Sequence, residues 1–205
     1  MLNKILVFGD SITYGQKDLE LGGWVNRLRL ALANDSSIPG CHVFNMGISG
    51  QTTGEILERL DRECRGRVLE GFRNIIILAA GINDTQIKDG EILVGEDEFR
   101  GNVRGLIMQA RSNADHVLYV GLTPVRESGT NPWNEESSWR NHVIERYDAI
   151  IEEVCSEADV RYIHMYDRID PETNADGLHP SEESHELMAC VMKSVLNDYL
   201  KGRKR

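Results

Sequence analysis

No apolar run in this 205-residue sequence is longer than the six residues from Ile75 to Ala80. A bilayer-spanning helix needs about 20, so none is expected. The chain also lacks a charged start followed by a long apolar stretch and a small-residue cleavage site, so no export signal is expected. Cysteine is scarce. Cys41, Cys64, Cys155 and Cys190 stand far apart and offer no zinc-ligand spacing. Free thiols in a reducing, cytoplasmic setting are expected in preference to two disulfides. Positive charge is in deficit: 23 Lys and Arg face 33 Asp and Glu, a formal net charge of −10. Nucleic acid needs a cationic surface and is not an expected partner. No repeat and no low-complexity linker divides the sequence, and its length suits one domain over 1–205. The basic stretch Lys201-Gly202-Arg203-Lys204-Arg205 reads as a solvated tail at a helix end, where cations suit the helix dipole.

The remaining composition, 40% apolar and 27% charged, is that of a globular chain able to bury a core. Short apolar runs alternate with amphipathic stretches. Lys4–Phe8, His42–Asn45, Asn74–Ala79, His116–Val120 and Val160–His164 read as strands. Between and after them, helical stripes run through Trp24 to Leu32, Ile56 to Leu60, Phe99 to Ala110, Val143 to Val154 and Leu187 to Leu196. Thr52 and Glu55 have capping-box spacing, and Ser181 can cap the last helix. Five buried strands alternating with five helices predict an α/β fold: a three-layer α/β/α sandwich around a mostly parallel sheet. Ligands in such folds bind beyond the carboxyl ends of the strands.

The sequence places chemistry at those ends. Gly9-Asp10-Ser11 follows the first strand, Asn45-Met46-Gly47 ends the second, and Gly81-Ile82-Asn83-Asp84 follows the third. A loop after the fifth carries Asp176-Gly177-Leu178-His179-Pro180. Serine becomes a nucleophile only when a base takes its proton. His179 can be that base, with Asp176 three residues earlier to fix its tautomer. The other histidines, His42, His116, His142, His164 and His185, are expected to have no carboxylate in such a turn. The Ser11 and Gly47 N–H groups and the Asn83 amide are candidate donors to an oxyanion. Each residue alone has a plainer reading as a turn serine, turn glycine or loop cap. Their joint occurrence at successive strand ends carries the case.

Together these blocks resemble the SGNH hydrolases, the GDSL lipase/esterase (acylhydrolase) family, over nearly the whole chain, from Gly9 to Pro180. The stretch Ile48-Ser49-Gly50-Gln51-Thr52-Thr53 extends the second block. The resemblance implies a flavodoxin-like sheet in the order 2-1-3-4-5. It implies Ser11 as nucleophile, His179 as base and then acid, Asp176 as its partner, and Ser11, Gly47 and Asn83 as the oxyanion hole. Ile12 stands where the family's four-letter name has Leu; the position is one of packing. Asp10 and Asp84 are expected as supporting hydrogen-bonding residues beneath the site.

Two polar stretches, Thr85 to Glu96 and Val125 to Trp139, are the candidates for shaping a pocket, with Ile48, Ile82, Pro124, Trp133 and Leu178 as its expected lining. No long apolar lid is present, which favours small soluble esters over lipid at an oil interface. Thioesters and sugar O-acetyl esters stay open; no cofactor is expected, and no metal, because the histidines are separated and no ligand cluster is present. The alternatives are a flavodoxin-like module that binds a nucleotide or flavin phosphate, a catalytically silent family member that binds carbohydrate or protein, and a metallohydrolase using the same Asp and His. The loop after the first strand has no G-x-x-x-x-G-K-[ST], and Asp10 would repel a phosphate. Monomer or homo-oligomer is not decided by the sequence.

Overall fold

In a computed structural model, residues 2–38 and 40–200 are described. The basic stretch 201–205 lies outside them. The elements run β1 (Asn3–Gly9), α1 (Ser11–Tyr14), α2 (Gly23–Ala33), β2 (Cys41–Gly47), α3 (Thr53–Arg65), β3 (Arg73–Ala79), β4 (Ile87–Lys88) and β5 (Glu91–Ile92). They continue through α4 (Glu96–Asn113), β6 (His116–Val120), α5 (Glu127–Thr130), β7 (Ser137–Ser138), α6 (Asn141–Glu157), β8 (Arg161–Ile163) and α7 (Glu182–Leu200).

The central sheet has the order β2-β1-β3-β6-β8 and every pairing in it is parallel. Numbered by its five strands alone, this is the expected 2-1-3-4-5. Every residue of β1 and all of Asn74–Leu78 in β3 are buried, because helices cover both faces of a parallel sheet. Helix α2 packs on α7, while α3 packs on α4 and α4 on α6. Right-handed crossovers in opposite directions from β1 set these two groups on opposite faces. Trp24, Val25, Leu28 and Leu32 bury one side of α2, and Phe99, Val103, Leu106 and Ala110 one side of α4.

The caps follow the sequence. At α3 the Thr52 hydroxyl accepts from Glu55 N–H and the Glu55 carboxylate accepts from Thr52 N–H, a closed capping box. Ser181 Oγ accepts from Ser184 N–H at 3.2 Å at the start of α7.

Not foreseen is a second, antiparallel sheet of order β5-β4-β7. It joins the two polar loops: Ile87 pairs with both Ile92 and Ser138. Strands of two residues carry no periodicity for a sequence reading to catch. All four cysteines are unpaired. Among the described residues, no helix is long and apolar enough to cross a membrane.

Candidate active site

Strand order reverses around β1, so the crevice beyond the carboxyl ends of β1 and β3 is open to a ligand. Ser11 enters that crevice directly after β1. Asp10 caps the short helix α1 by accepting Ile12 N–H on Oδ1 at 2.9 Å, which turns the chain and fixes Ser11 at the first helical position. His179 comes from the loop between β8 and α7. Its Nε2 lies 2.9 Å from Ser11 Oγ and its Nδ1 2.8 Å from Asp176 Oδ2. Asp176 Oδ1 accepts the backbone N–H groups of Leu178 (3.0 Å) and His179 (2.9 Å), so the carboxylate closes the turn that carries the imidazole. Burial raises the Asp176 carboxyl, but the His179 backbone N–H and imidazole outweigh it and hold the group below its ordinary value. Lys17 Nζ stands 3.5 Å from the same Oδ2 at the surface.

The loop carrying this pair is tied down by a residue the sequence reading missed. Arg126 donates to the carbonyls of Asn174 (2.9 Å) and Ala175 (3.0 Å) through Nη2, and its backbone N–H bonds Gly177 O. Nothing in the local sequence marks Arg126, since its partners lie about 50 residues away.

The second strand end differs from expectation. Gly47 N–H donates to Asn45 Oδ1 at 2.9 Å, so it is already committed. The glycine is needed there for another reason: a Cβ would stand 2.3 Å from Tyr14 N, where α1 crosses β2. In the turn that follows, Gln51 N–H bonds Ile48 O, and Gly50 sits at the third position with φ +83°, the type II requirement for glycine. Gly50 N–H makes no hydrogen bond to a described residue, nor does Ser11 N–H. Asn83 donates one amide hydrogen to Gln51 O at 3.0 Å and keeps its second. The N–H groups of Ser11 and Gly50 and the second amide hydrogen of Asn83 are thus left without a partner among the described residues, whereas that of Gly47 is bonded.

Asp10 and Asp84 lie beneath, both buried. Asp84 accepts from Thr53 N–H (3.0 Å) and Thr53 Oγ1 (2.5 Å), fastening the start of α3. Burial pushes Asp10 up to about 7, against the Ile12 N–H bond and helped by the charge of Asp84. Burial likewise lifts Asp84 to about 6, against the Thr53 bonds. Between the ordinary value of 3.8 and about 7, folded Asp10 keeps a proton that the unfolded chain has lost. Its contribution to stability therefore falls as pH rises through that window, and Asp84 acts in the same sense. Asp10→Asn retains the oxygen that caps Ile12. It is expected to flatten the decline in melting temperature across that range; a slope equal to wild type contradicts the assignment.

The expected pocket lining separates into two groups. Ile82, Pro124 and Leu178 are buried, with Ile82 bordering a small pocket beneath the site that it shares with Asp10 and Ile12. Ile48 is exposed, and the half-buried Trp133 meets the His179 ring edge-on, with centroids 6.2 Å apart and planes at 70°. Trp133 also packs on Trp139, whose Nε1 donates to Ile82 O at 3.0 Å. A neighbouring cavity of about 580 Å³ is bordered by Tyr14, Gln16, Lys17, Asn26, Asn45 and Gly47. Only Gly47 of these was a candidate from sequence.

A second carboxylate–imidazole pair exists where none was expected: His164 Nε2 lies 3.0 Å from Asp167 Oδ2. Both side chains are well exposed, and no serine bonds to either. His185 is buried, accepting Trp24 N–H on Nδ1. Among the described residues no group of three or more His, Cys, Asp or Glu converges as a metal site.

A sequence profile of the GDSL-like lipase/acylhydrolase family matches residues 7–187. The fold is similar to that of a lipase/acylhydrolase from Enterococcus faecalis, with TM-score 0.78 and 25% identity, covering 99% of this chain and 100% of that one. It is similar to a member of the lipolytic protein G-D-S-L family from Veillonella parvula DSM 2008 (TM-score 0.74, 21% identity, 96% and 99% covered). Axe2, an acetylxylan esterase from Geobacillus stearothermophilus, has TM-score 0.73 at 18% identity, with 98% and 95% covered. Comparison with curated proteins gives no match.

Proposed function

Because the chain belongs to the GDSL-like lipase/acylhydrolase family, we propose that it hydrolyses carboxylic esters of small acyl groups through an acyl-enzyme on Ser11. The observation that carries this reading is the unbroken path from Ser11 Oγ to His179 Nε2 (2.9 Å) and from His179 Nδ1 to Asp176 Oδ2 (2.8 Å). As Ser11 Oγ attacks the ester carbon, its proton passes to His179 Nε2. Asp176 accepts Nδ1–H and stabilises the imidazolium. The carbonyl oxygen becomes an oxyanion facing the N–H groups of Ser11 and Gly50 and the free hydrogen of Asn83 Nδ2. Collapse expels the alcohol, which takes the proton from His179. Water then repeats the cycle: His179 takes its proton, the hydroxyl attacks the acyl carbon, and Ser11 leaves with that proton restored.

Asn83 gives a direct test. Asn83→Ala removes one oxyanion donor and the bond to Gln51 O. It is expected to lower kcat on para-nitrophenyl acetate by about 10²–10³, with little change in KM. A loss confined to KM would remove Asn83 from the oxyanion role.

A second reading has its own observation. The cavity beside Gly47 mixes the polar Gln16, Asn26 and Tyr14, the last 61% exposed, with the exposed Leu19, a wall that can take a sugar by its hydroxyls and its apolar face together. A carbohydrate O-acetyl ester is the corresponding substrate. Acetylated xylo-oligosaccharides turned over with higher kcat/KM than para-nitrophenyl acetate would favour it; the reverse ranking would favour simple esters.

A further inference from the structure

We propose that Arg59 and Gln51 are positioning residues that set the geometry of the oxyanion donors. The proposal rests on the serine hydrolase reading above. Arg59 lies on the inner face of α3 and is buried to 5% exposure. Its Nη2 donates to Met46 O (2.7 Å) and Gly9 O (3.3 Å), the carbonyls at the ends of β2 and β1. Its Nε donates to Gln51 Oε1 at 2.7 Å. Gly9 O also accepts Ile48 N–H at 3.1 Å, so the turn from Ile48 to Gln51 hangs from the strand end that leads into Ser11. Gln51 O in turn accepts the Asn83 amide at 3.0 Å. One guanidinium therefore joins the segment that presents Ser11, the turn that presents Gly50 N–H, and the residue that orients Asn83.

The energetics favour geometry over stability as the reason for this arrangement. Burial disfavours the charged guanidinium and lowers the Arg59 pKa, with Glu63 only partly opposing it. The Glu63 carboxylate is 3.9 Å away and partly exposed, and Arg59 Nη1 has no hydrogen-bond partner. Neutral carbonyls replace most of the water a guanidinium loses, at little net gain in stability. What they secure is direction. Arginine's planar fork can hold two carbonyls and an amide oxygen at fixed angles, which a lysine ammonium cannot. Neither residue touches the reacting atoms, so the effect is on where the donors sit. Misplacement of such groups by about 1 Å can cost about a hundredfold in rate.

The test is steady-state kinetics on para-nitrophenyl acetate for wild type, Ser11→Ala, Gln51→Ala and Arg59→Lys, with melting temperatures and inhibition by a phenylboronic acid, whose tetrahedral adduct on Ser11 places an oxygen among the same donors. Gln51→Ala is expected to lower kcat by about 10–100-fold, hold KM within about twofold, and weaken boronate binding by a similar factor. Arg59→Lys retains the charge and loses the fork, and is expected to show the same split. Should Gln51→Ala fail to fold, Arg59→Lys carries the test alone. Wild-type kcat and boronate affinity in a folded variant would overturn the positioning role while leaving the hydrolase reading intact. Turnover of wild type that Ser11→Ala does not reduce would overturn both.

Discussion

Ser11→Ala is expected to lower ester turnover by about 10⁵-fold or more, close to the loss seen when a nucleophile acting as a unit with its base is removed. The fold should be unaffected. Ser11 occupies the first position of α1, where alanine is a good helix former, and the hydrogen bond lost is the one to His179 Nε2. Asp10 still caps Ile12 N–H, so the turn after β1 does not depend on the hydroxyl. The measurement is kcat with para-nitrophenyl acetate beside a melting curve. A variant that keeps more than about 1% of the wild-type rate would show that the hydroxyl is not the attacking group.

Asp176→Asn is expected to cost about 10⁴-fold in kcat, through the tautomer of His179 and not through the fold. The amide can keep its oxygen on the Leu178 and His179 backbone N–H groups, as Oδ1 does now. Its NH₂ then faces His179 Nδ1, which must become the acceptor. The ring proton moves to Nε2 and points at Ser11 Oγ, so the imidazole can no longer take the serine proton. KM and melting temperature should stay near wild type. A loss below about tenfold would mean that Asp176 only shapes the turn.

Much of this architecture was readable because it is periodic or local. The run Asn74–Ala79 is β-branched, uncharged and six residues long, and it appears as β3 buried between helices. Thr52 and Glu55 announced the start of α3 by spacing alone, and the strand order followed from the family resemblance. The Asp176–His179 pair was legible because both residues share one turn. What was illegible depends on contacts between distant segments. Gly47 and Gly50 both sit in the second block, and only three-dimensional hydrogen bonding separates them. Asn45 uses the N–H of Gly47, whereas the turn leaves that of Gly50 free. Arg59 and Arg126 look like any helix or loop arginine in sequence, yet their partners are the backbone carbonyls of remote strand ends and loops. Ile82, Pro124 and Leu178 were expected along a pocket because they flank the chemical blocks. Adjacency in sequence does not decide which way a side chain packs, and these three are buried.

The decisive measurement is reaction of the purified protein with a fluorophosphonate, followed by mass mapping of the labelled peptide and by residual esterase activity. With Ser11 activated by His179, one label per chain should appear on the peptide containing Ser11, activity should fall in step with labelling, and His179→Ala should label far more slowly. Full esterase activity in a protein that takes up no label, or a label on another residue that abolishes turnover, would contradict the assignment of Ser11 as nucleophile.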